Sequence, residues 1–138
     1  MALMVTFKLV FGLKGGRCVQ KEIQDANTKT LLGKQIGDKI QGDALGFDGY
    51  EFEITGGSDY CGFPMRKDLP GLARKKILTV QGIGVKKSAN GIRQKKTVCG
   101  NTIHQKISQI NLKILKEGKE PLAPPAEAKK DAPEQKKE

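Results

Sequence analysis

Glycine divides this chain into short runs, and that spacing limits its fold more than any other feature. The 138-residue chain has 17 glycines, which recur every few residues over long stretches. Between them, apolar and polar residues alternate with the period of two that is typical of a strand with one buried face. Many short strands joined by glycine turns predict a mainly β fold with little helix, in a small barrel-like domain.

Individual elements follow from these patterns. The predicted strands lie at residues 5–11, 18–23, 50–55, 76–81 and 92–100. The GLKGG turn between the first two predicts a β-hairpin. Residues 102–116 fit a helical spacing as well as a strand, and their many isoleucines favour the strand. Thr28 is expected to cap one short helical turn through Leu31 and Leu32, which Gly33 ends.

The composition changes near the C-terminus. Residues 123–138, APPAEAKKDAPEQKKE, combine prolines with charges and have no apolar period. Such a segment cannot bury enough apolar surface to fold alone. We therefore expect one β-rich domain over residues 1–122 and a flexible, disordered tail over residues 123–138. The tail has four lysines and four acids, so it is not the source of the chain's net charge of +10.

Positive charge is concentrated in the middle of the chain. Residues 66–106 hold eleven lysines and arginines against one acid, Asp68, and residues 69–116 contain no acid. An ordinary soluble surface intersperses both signs, so this block predicts a polyanionic partner, either nucleic acid or an anionic membrane. The membrane alternative requires a basic amphipathic helix or a lipid anchor, and the sequence indicates neither. Nucleic acid is therefore the expected partner.

The cations of this block are the candidate nucleic-acid-binding residues. Glycines and small polar residues lie between them, which lets the main chain approach phosphates. Single-strand binding needs exposed aromatic rings, and no aromatic residue follows Phe63. We therefore expect recognition of folded nucleic acid through its phosphates and shape. The candidates are Arg66, Lys67, Arg74, Lys75, Lys76, Lys86, Lys87, Arg93, Lys95, Lys96 and Lys106.

Two glycine-rich stretches raise the question of an enzymatic phosphate site. Residues 54–63, ITGGSDYCGF, lack the lysine-serine pair of a nucleotide-binding P-loop, and residues 82–88, GIGVKKS, lack its second glycine. The acids between Asp38 and Asp59 match no metal-binding loop and are expected at solvated turns. His104, the only histidine, has no evident catalytic partner. We therefore expect no enzymatic activity, cofactor, metal or small-molecule substrate.

Three separate cysteines, Cys18, Cys61 and Cys99, form no C-x-x-C pair. Their odd number and wide spacing argue against a disulfide framework and against a zinc site, so buried thiols are expected. No run reaches the roughly 18 apolar residues of a membrane span. The apolar N-terminus lacks the basic leader of a signal peptide. We expect a cytoplasmic protein.

Two blocks of the sequence resemble a known family. They are residues 42–69, GDALGFDGYEFEITGGSDYCGFPMRKDL, and residues 93–122, RQKKTVCGNTIHQKISQINLKILKEGKEPL. In this order, and with the N-terminal strand, they resemble the archaeal and eukaryotic small-subunit ribosomal protein six-e family. The short C-terminus is similar to that of archaeal members, since the long basic tail of eukaryotic members is absent. Cys99 stands where the family typically has arginine.

The resemblance implies a structural constituent of the small ribosomal subunit, a β-rich domain that binds and stabilises rRNA beside neighbouring ribosomal proteins in the cytoplasm. A DNA-coating chromatin-type protein and a small enzyme that uses the acidic stretch are the alternatives. Residue types within the first block indicate a loop that turns at its glycines and is anchored on the core by apolar residues, with Arg66 and Lys67 facing phosphate. This loop motif comprises Gly56, Gly57, Gly62, Phe63, Pro64 and Met65.

Overall fold

The computed structural model describes residues 5–24, 27–86 and 89–122. Seven strands and two short helical segments make up the secondary structure of this part of the chain. In chain order they are β1 (Thr6–Gly12), β2 (Cys18–Gln24), α1 (Thr28–Leu31), β3 (Lys39–Gln41), a 3-10 helix (Gly42–Leu45), β4 (Glu51–Asp59), β5 (Lys75–Thr79), β6 (Gln94–Val98) and β7 (Ile107–Lys116). The mainly β class is therefore confirmed. The predicted flexible tail, residues 123–138, lies outside the described residues.

Five of the strands form one sheet with the order β2-β1-β7-β4-β3. β1 pairs with β2 in the predicted antiparallel hairpin and with β7 in parallel. β4 pairs antiparallel with β7 and with the three-residue β3. The sheet is open, because β2 and β3 lie at opposite edges and do not pair with each other within the described residues. The described strands therefore do not close into a barrel, although the mainly β class holds.

One face of the sheet carries the core. The alternating residues Phe7, Leu9 and Phe11 of β1 are fully buried. Leu9 and Phe11 pair with Ile110 and Leu112 of β7, which are also buried. The segment between β2 and β4 contributes further buried side chains to the same cluster. The period-two pattern thus located the buried face correctly in β1 and in β7, where the strand prediction is confirmed.

The two short helices end where the sequence supplies glycine. α1 stops before Gly33, whose φ of 83° is in the left-handed region that favours glycine. The 3-10 helix stops at Gly46, with a φ of 85°. Asn27, and not Thr28, is the residue before α1, and it makes no side-chain capping hydrogen bond. Thr28 is instead buried within the first turn.

β5 and β6 form a separate two-stranded antiparallel element, which we call the ribbon. Both strands were predicted from the sequence and are confirmed. The ribbon joins the main sheet beside the end of β4, where Met65 bridges Cys99 and Ser58 bridges Pro64. β4 reaches this end at Asp59, which pairs with Ile107 at the start of β7.

The chain leaves the main sheet at the end opposite the ribbon. β7 ends at Lys116, which pairs with Glu51 at the start of β4. Beyond it, the Tyr50 hydroxyl donates a hydrogen bond to the backbone carbonyl of Glu120, and Leu122 is buried against the core. The ribbon and the C-terminal segment therefore leave opposite ends of the same sheet.

Candidate nucleic-acid interface

The ribbon and the loop between its strands hold, within the described residues, six of the eleven cations that the sequence singled out. Lys75 and Lys76 lie on β5, and Lys95 and Lys96 lie on β6. Lys86 and Arg93 lie between the two strands and are exposed. Lys87, also predicted, lies outside the described residues. Cations that are separated by up to 21 positions in the sequence thus share one small element because β5 and β6 pair.

Strand pairing divides these cations between two faces of the ribbon. Successive strand residues point to opposite faces, and directly paired residues share a face. Leu78 pairs with Lys95, and Lys76 pairs with Thr97. These four residues form what we call the outer face, on which Lys76, Leu78 and Lys95 are exposed.

The inner face of the ribbon is defined by the other register positions. Ile77 pairs with Lys96, and Lys75 pairs with Val98. Val98 is fully buried and Ile77 and Lys96 are half-buried, whereas Lys75 is exposed. The inner face is therefore partly covered by the rest of the domain, while the outer face is open to solvent.

A partly buried ion pair holds the base of the ribbon. Asp59, at the end of β4, is only 2% exposed and accepts a hydrogen bond from Nε of Arg74, the residue that precedes β5. The Arg74 guanidinium also lies over the rings of Tyr60 and Phe63, at 4.8 Å and 5.1 Å from their centroids. Such cation–π contacts add to the ion pair. Arg74 therefore connects the ribbon to the main sheet.

Electrostatics around Asp59 favour its charged form. Burial alone raises the pKa of this carboxyl, but hydrogen bonds from Arg74, from the Tyr60 backbone N–H and from the Cys99 thiol outweigh burial and lower the pKa below its usual value. The hydrogen bond to Asp59 correspondingly raises the pKa of Arg74. Burial, together with the nearby Asp59 carboxylate, raises the pKa of Cys99 to about 11. The cluster thus contains a carboxylate, a guanidinium and a neutral thiol.

The glycines of the loop motif have different structural roles. Gly56 and Gly57 lie within β4, which runs on to Asp59, and not in a loop. A Cβ on Gly57 would lie 2.5 Å from the Gln109 carbonyl oxygen, so close strand packing requires glycine there, whereas a Cβ on Gly56 would meet nothing within 4 Å. Gly62 has a φ of 86° and forms the turn after β4.

The apolar residues of the loop motif connect this turn with the core and the ribbon. Met65 is fully buried in the core cluster. Phe63 is half-buried and packs against the same cluster. Pro64 borders the loop of the ribbon, since a Cβ on Gly84 would lie 3.0 Å from its Cγ. The loop motif therefore lies between the core and the ribbon and contacts both.

Arg66 and Lys67 have different surroundings. The Arg66 side chain is 13% exposed, and its Nη2 lies 2.6 Å from Oδ2 of Asp68. That hydrogen bond lowers the pKa of Asp68. The Arg66 guanidinium lies beneath Gly82 of the ribbon loop, and its buried Nη1 has no hydrogen-bond partner in the described part of the chain. Lys67 is exposed.

Lys106, the last of the predicted cations, borders a cleft beside the base of the ribbon. The cleft has a volume of about 530 Å³ and is lined by Asp59, Tyr60, Leu72, Ala73, Arg74, His104, Gln105 and Lys106. His104 Nδ1 accepts a hydrogen bond from the Lys106 backbone N–H at 3.2 Å. Its buried Nε2 has no partner among the residues that the structure describes. Within those residues, no group of three or more His, Cys, Asp or Glu side chains is arranged to hold a metal.

Two sequence-based expectations for single residues are wrong. The sequence predicts a solvated turn at Asp59, whereas this residue is buried; its partner Arg74 is 15 positions away, too far for a local pattern to indicate. Asp38 and Asp43 do accept backbone hydrogen bonds at turns. Of the three thiols, only that of Cys99 is buried, because Cys18 and Cys61 are exposed.

Across residues 5–24, 27–86 and 89–122, no helix is long and apolar enough to cross a bilayer.

Comparison with known families decides the assignment. Residues 7–126 match the family model of ribosomal protein S6e. The chain belongs to the ribosomal protein S6e family. The resemblance noted from residues 42–69 and 93–122 is therefore confirmed, and the match includes the main sheet, the loop motif and the ribbon.

Curated relatives agree with this assignment. The chain is similar to a protein named small ribosomal subunit protein eS6 from Archaeoglobus fulgidus, with 47% identity over 79% of this chain and 85% of the relative. The protein of the same name from Methanothermobacter thermautotrophicus is 42% identical over 86% of this chain and 93% of the relative. The one from Methanocella arvoryzae is 38% identical over 94% of both.

Proposed function

We propose that this protein is a structural, non-catalytic constituent of the small ribosomal subunit that binds folded rRNA through the ribbon. The observation that carries the proposal is the arrangement of Lys75, Lys76, Lys95 and Lys96 on two paired strands. Residues 69–116, which include the ribbon, contain no acid. The names of the curated relatives support assembly into the small subunit. Ribosomal proteins beside it and a cytoplasmic location follow from the same proposal.

Exposed cations are the proposed phosphate contacts. On the ribbon and its loop these are Lys75, Lys76, Lys86, Arg93 and Lys95, with Lys96 half-exposed beside them. Lys67 and Lys106 extend the surface towards the main sheet, and Lys87 is included on sequence grounds. The role of the protein is to neutralise phosphates where RNA segments pack together.

Arg66 and Arg74 have a supporting role in this proposal. Each guanidinium is engaged by a carboxylate, Asp68 and Asp59 respectively. Arg74 fixes the base of the ribbon, and Arg66 lies under its loop at Gly82. They act by holding the surface that presents the exposed lysines.

The test is binding of the purified protein to small-subunit rRNA at increasing salt, with DNA duplex as competitor. If six or more cations contact phosphates, affinity falls about 10³-fold or more between about 50 and 200 mM salt. A variant with Lys75, Lys76, Lys95 and Lys96 all changed to glutamine is expected to bind rRNA more weakly and to show a smaller salt dependence than the unmodified protein. Its matched control changes four exposed lysines elsewhere, Lys14, Lys29, Lys39 and Lys119, to glutamine.

The control variant removes the same charge and is expected to bind nearly as the unmodified protein does. Equal weakening by both variants would show that only total charge matters and would overturn the ribbon assignment. Stronger binding to duplex DNA than to rRNA would support the DNA-coating alternative and overturn the ribosomal proposal.

A further inference from the structure

Exposed apolar side chains are concentrated on the same element as the lysines. Within the described residues, the large apolar side chains with high exposure all lie between positions 60 and 92. Leu78, Val80, Ile83 and Ile92 belong to the ribbon or its loop, and Tyr60 and Leu72 lie at its base. Binding of phosphates alone does not require exposed leucine or isoleucine. The ribbon therefore has a second chemical property besides its charge.

The outer face combines the two properties most directly. Leu78 is 63% exposed and lies directly opposite Lys95. Lys76 is on the same face, two residues before Leu78, and Thr97 pairs with it. An apolar centre is thus flanked by a cation on its own strand and a cation on the partner strand. The corresponding centre of the inner face, Ile77, is half-buried instead.

The occupant of this face must offer negative charge beside apolar surface. No carboxylate occurs anywhere in residues 69–116 to meet a basic partner. The sugar-phosphate backbone of RNA provides both properties, since rows of phosphates border the riboses. The face contains no aromatic residue on which unpaired bases could stack. In double-helical RNA the major groove is deep and narrow, whereas the minor groove is wide and shallow and displays the riboses.

We infer that the outer face of the ribbon docks in the minor groove of double-helical RNA. Leu78 packs against riboses in the groove, and Lys76 and Lys95 reach the phosphates on its two sides. This inference rests on the proposed function and adds to it the RNA form, the groove and the face of the protein. It assigns the inner-face cations Lys75 and Lys96 a smaller part in binding.

The first test compares two double variants that remove the same charge from opposite faces. Lys76→Gln with Lys95→Gln changes the outer face, and Lys75→Gln with Lys96→Gln changes the inner face. The probe is an RNA duplex of about 20 base pairs, which offers two successive minor grooves. We expect the outer-face variant to reduce the slope of log affinity against log salt by about 1.8, from two phosphate contacts at about 0.9 each. We expect the inner-face variant to reduce it by less than half of that.

The second test removes the apolar centre without changing charge. Leu78→Ser is expected to weaken binding to the duplex about tenfold, since a leucine leaves water on binding, with no change in the salt slope. Leu72→Ser is the matched control, because Leu72 is 52% exposed but lies outside the ribbon. We expect it to bind as the unmodified protein does. Thermal unfolding of both variants checks that they remain folded.

The other possible outcomes distinguish failure of the minor-groove inference from failure of the proposed function. Equal slope changes for the two double variants would overturn the inference and leave the ribbon as the RNA-binding element. Unchanged RNA affinity of Leu78→Ser, with loss only of its assembly into small subunits, would identify a protein as the occupant and would also overturn it. Undiminished rRNA binding by the quadruple ribbon variant would instead overturn the proposed function.

Discussion

Replacing Asp59 with asparagine removes the charge that holds the base of the ribbon while preserving the size of the side chain. Asp59 accepts hydrogen bonds from Arg74 Nε, from the Tyr60 backbone N–H at 2.5 Å and from the Cys99 thiol at 3.5 Å. The asparagine carbonyl oxygen retains the bond from Tyr60. Its amide group, however, donates hydrogen bonds and cannot accept one from Arg74.

The size of the expected effect follows from this lost acceptor. A hydrogen bond to a charged group contributes about 1.5 to 3 kcal/mol. Because Asp59 is 2% exposed, water does not reach the position of the lost acceptor, whereas the Arg74 side chain, which is 32% exposed, regains part of its hydration. We expect Asp59→Asn to lower the free energy of unfolding by about 2 kcal/mol at pH 7. With a urea m-value of about 2 kcal/mol/M, the unfolding midpoint falls by about 1 M.

The effect depends on pH in a defined direction. The folded-state pKa of Asp59 lies below the usual value of 3.8. Its charge therefore stabilises the fold fully above the unfolded-state pKa, and this contribution is lost as the pH falls through the folded-state pKa. The difference in unfolding free energy between the unmodified protein and Asp59→Asn should be constant from pH 7 to about 5 and narrow below about 3.8.

Urea unfolding followed by circular dichroism measures these differences, since the chain has no tryptophan for fluorescence. Glu51→Gln is the control, because it removes an ion pair of similar type whose partner Lys116 is 70% exposed. Exposed pairs contribute less than about 1 kcal/mol. An Asp59→Asn midpoint equal to that of the control, or a difference that does not narrow in acid, would refute the reasoning.

Two further predictions concern close packing and thiol burial. Gly57→Ala places a Cβ 2.5 Å from the Gln109 carbonyl oxygen and should lower the midpoint of thermal unfolding by several degrees. Gly56→Ala is the control and should not lower it, because a Cβ there meets nothing within 4 Å. Equal unfolding midpoints for the two variants would contradict the close approach of Gly57 to Gln109. At pH 8, iodoacetamide should modify exposed Cys61 in the folded protein and buried Cys99 only after denaturation, since the Cys99 pKa is raised to about 11. Mass spectrometry of the alkylated peptides measures the modification rates of Cys61 and Cys99. Equal rates for the two thiols in the folded protein would contradict the burial of Cys99.

Local patterns were sufficient to predict six of the seven strands in the described residues, but not the three-residue β3. Alternation in residues 5–11 and 50–55 identified β1 and the first part of β4, and the isoleucines of residues 107–116 favoured the strand that is found. These features depend on neighbouring residues, because side chains of a half-buried strand alternate regardless of the rest of the fold. The open sheet was not predicted. Pairing of β1 with β7 in parallel is decided by contacts between segments about 100 residues apart.

The sequence predicted which cations belong to the candidate site, but not how these cations are arranged in space. The sequence indicated which cations were concentrated in one block, but not that β5 and β6 pair and divide them between two faces. The burial of Asp59 and its pairing with Arg74 depend on tertiary contacts. The same holds for Gly57, which sequence placed in a loop and which lies in β4 against Gln109.

Sedimentation in a native cell lysate tests the central claim most directly. The lysate is fractionated on a sucrose gradient at moderate salt, and the fractions are probed for this chain and for small-subunit rRNA. Our account predicts that the chain comigrates with the small subunit, and that the quadruple ribbon variant is depleted from that peak relative to its matched lysine control. A chain that stays at the top of the gradient, or that follows the chromosomal DNA, would contradict the account.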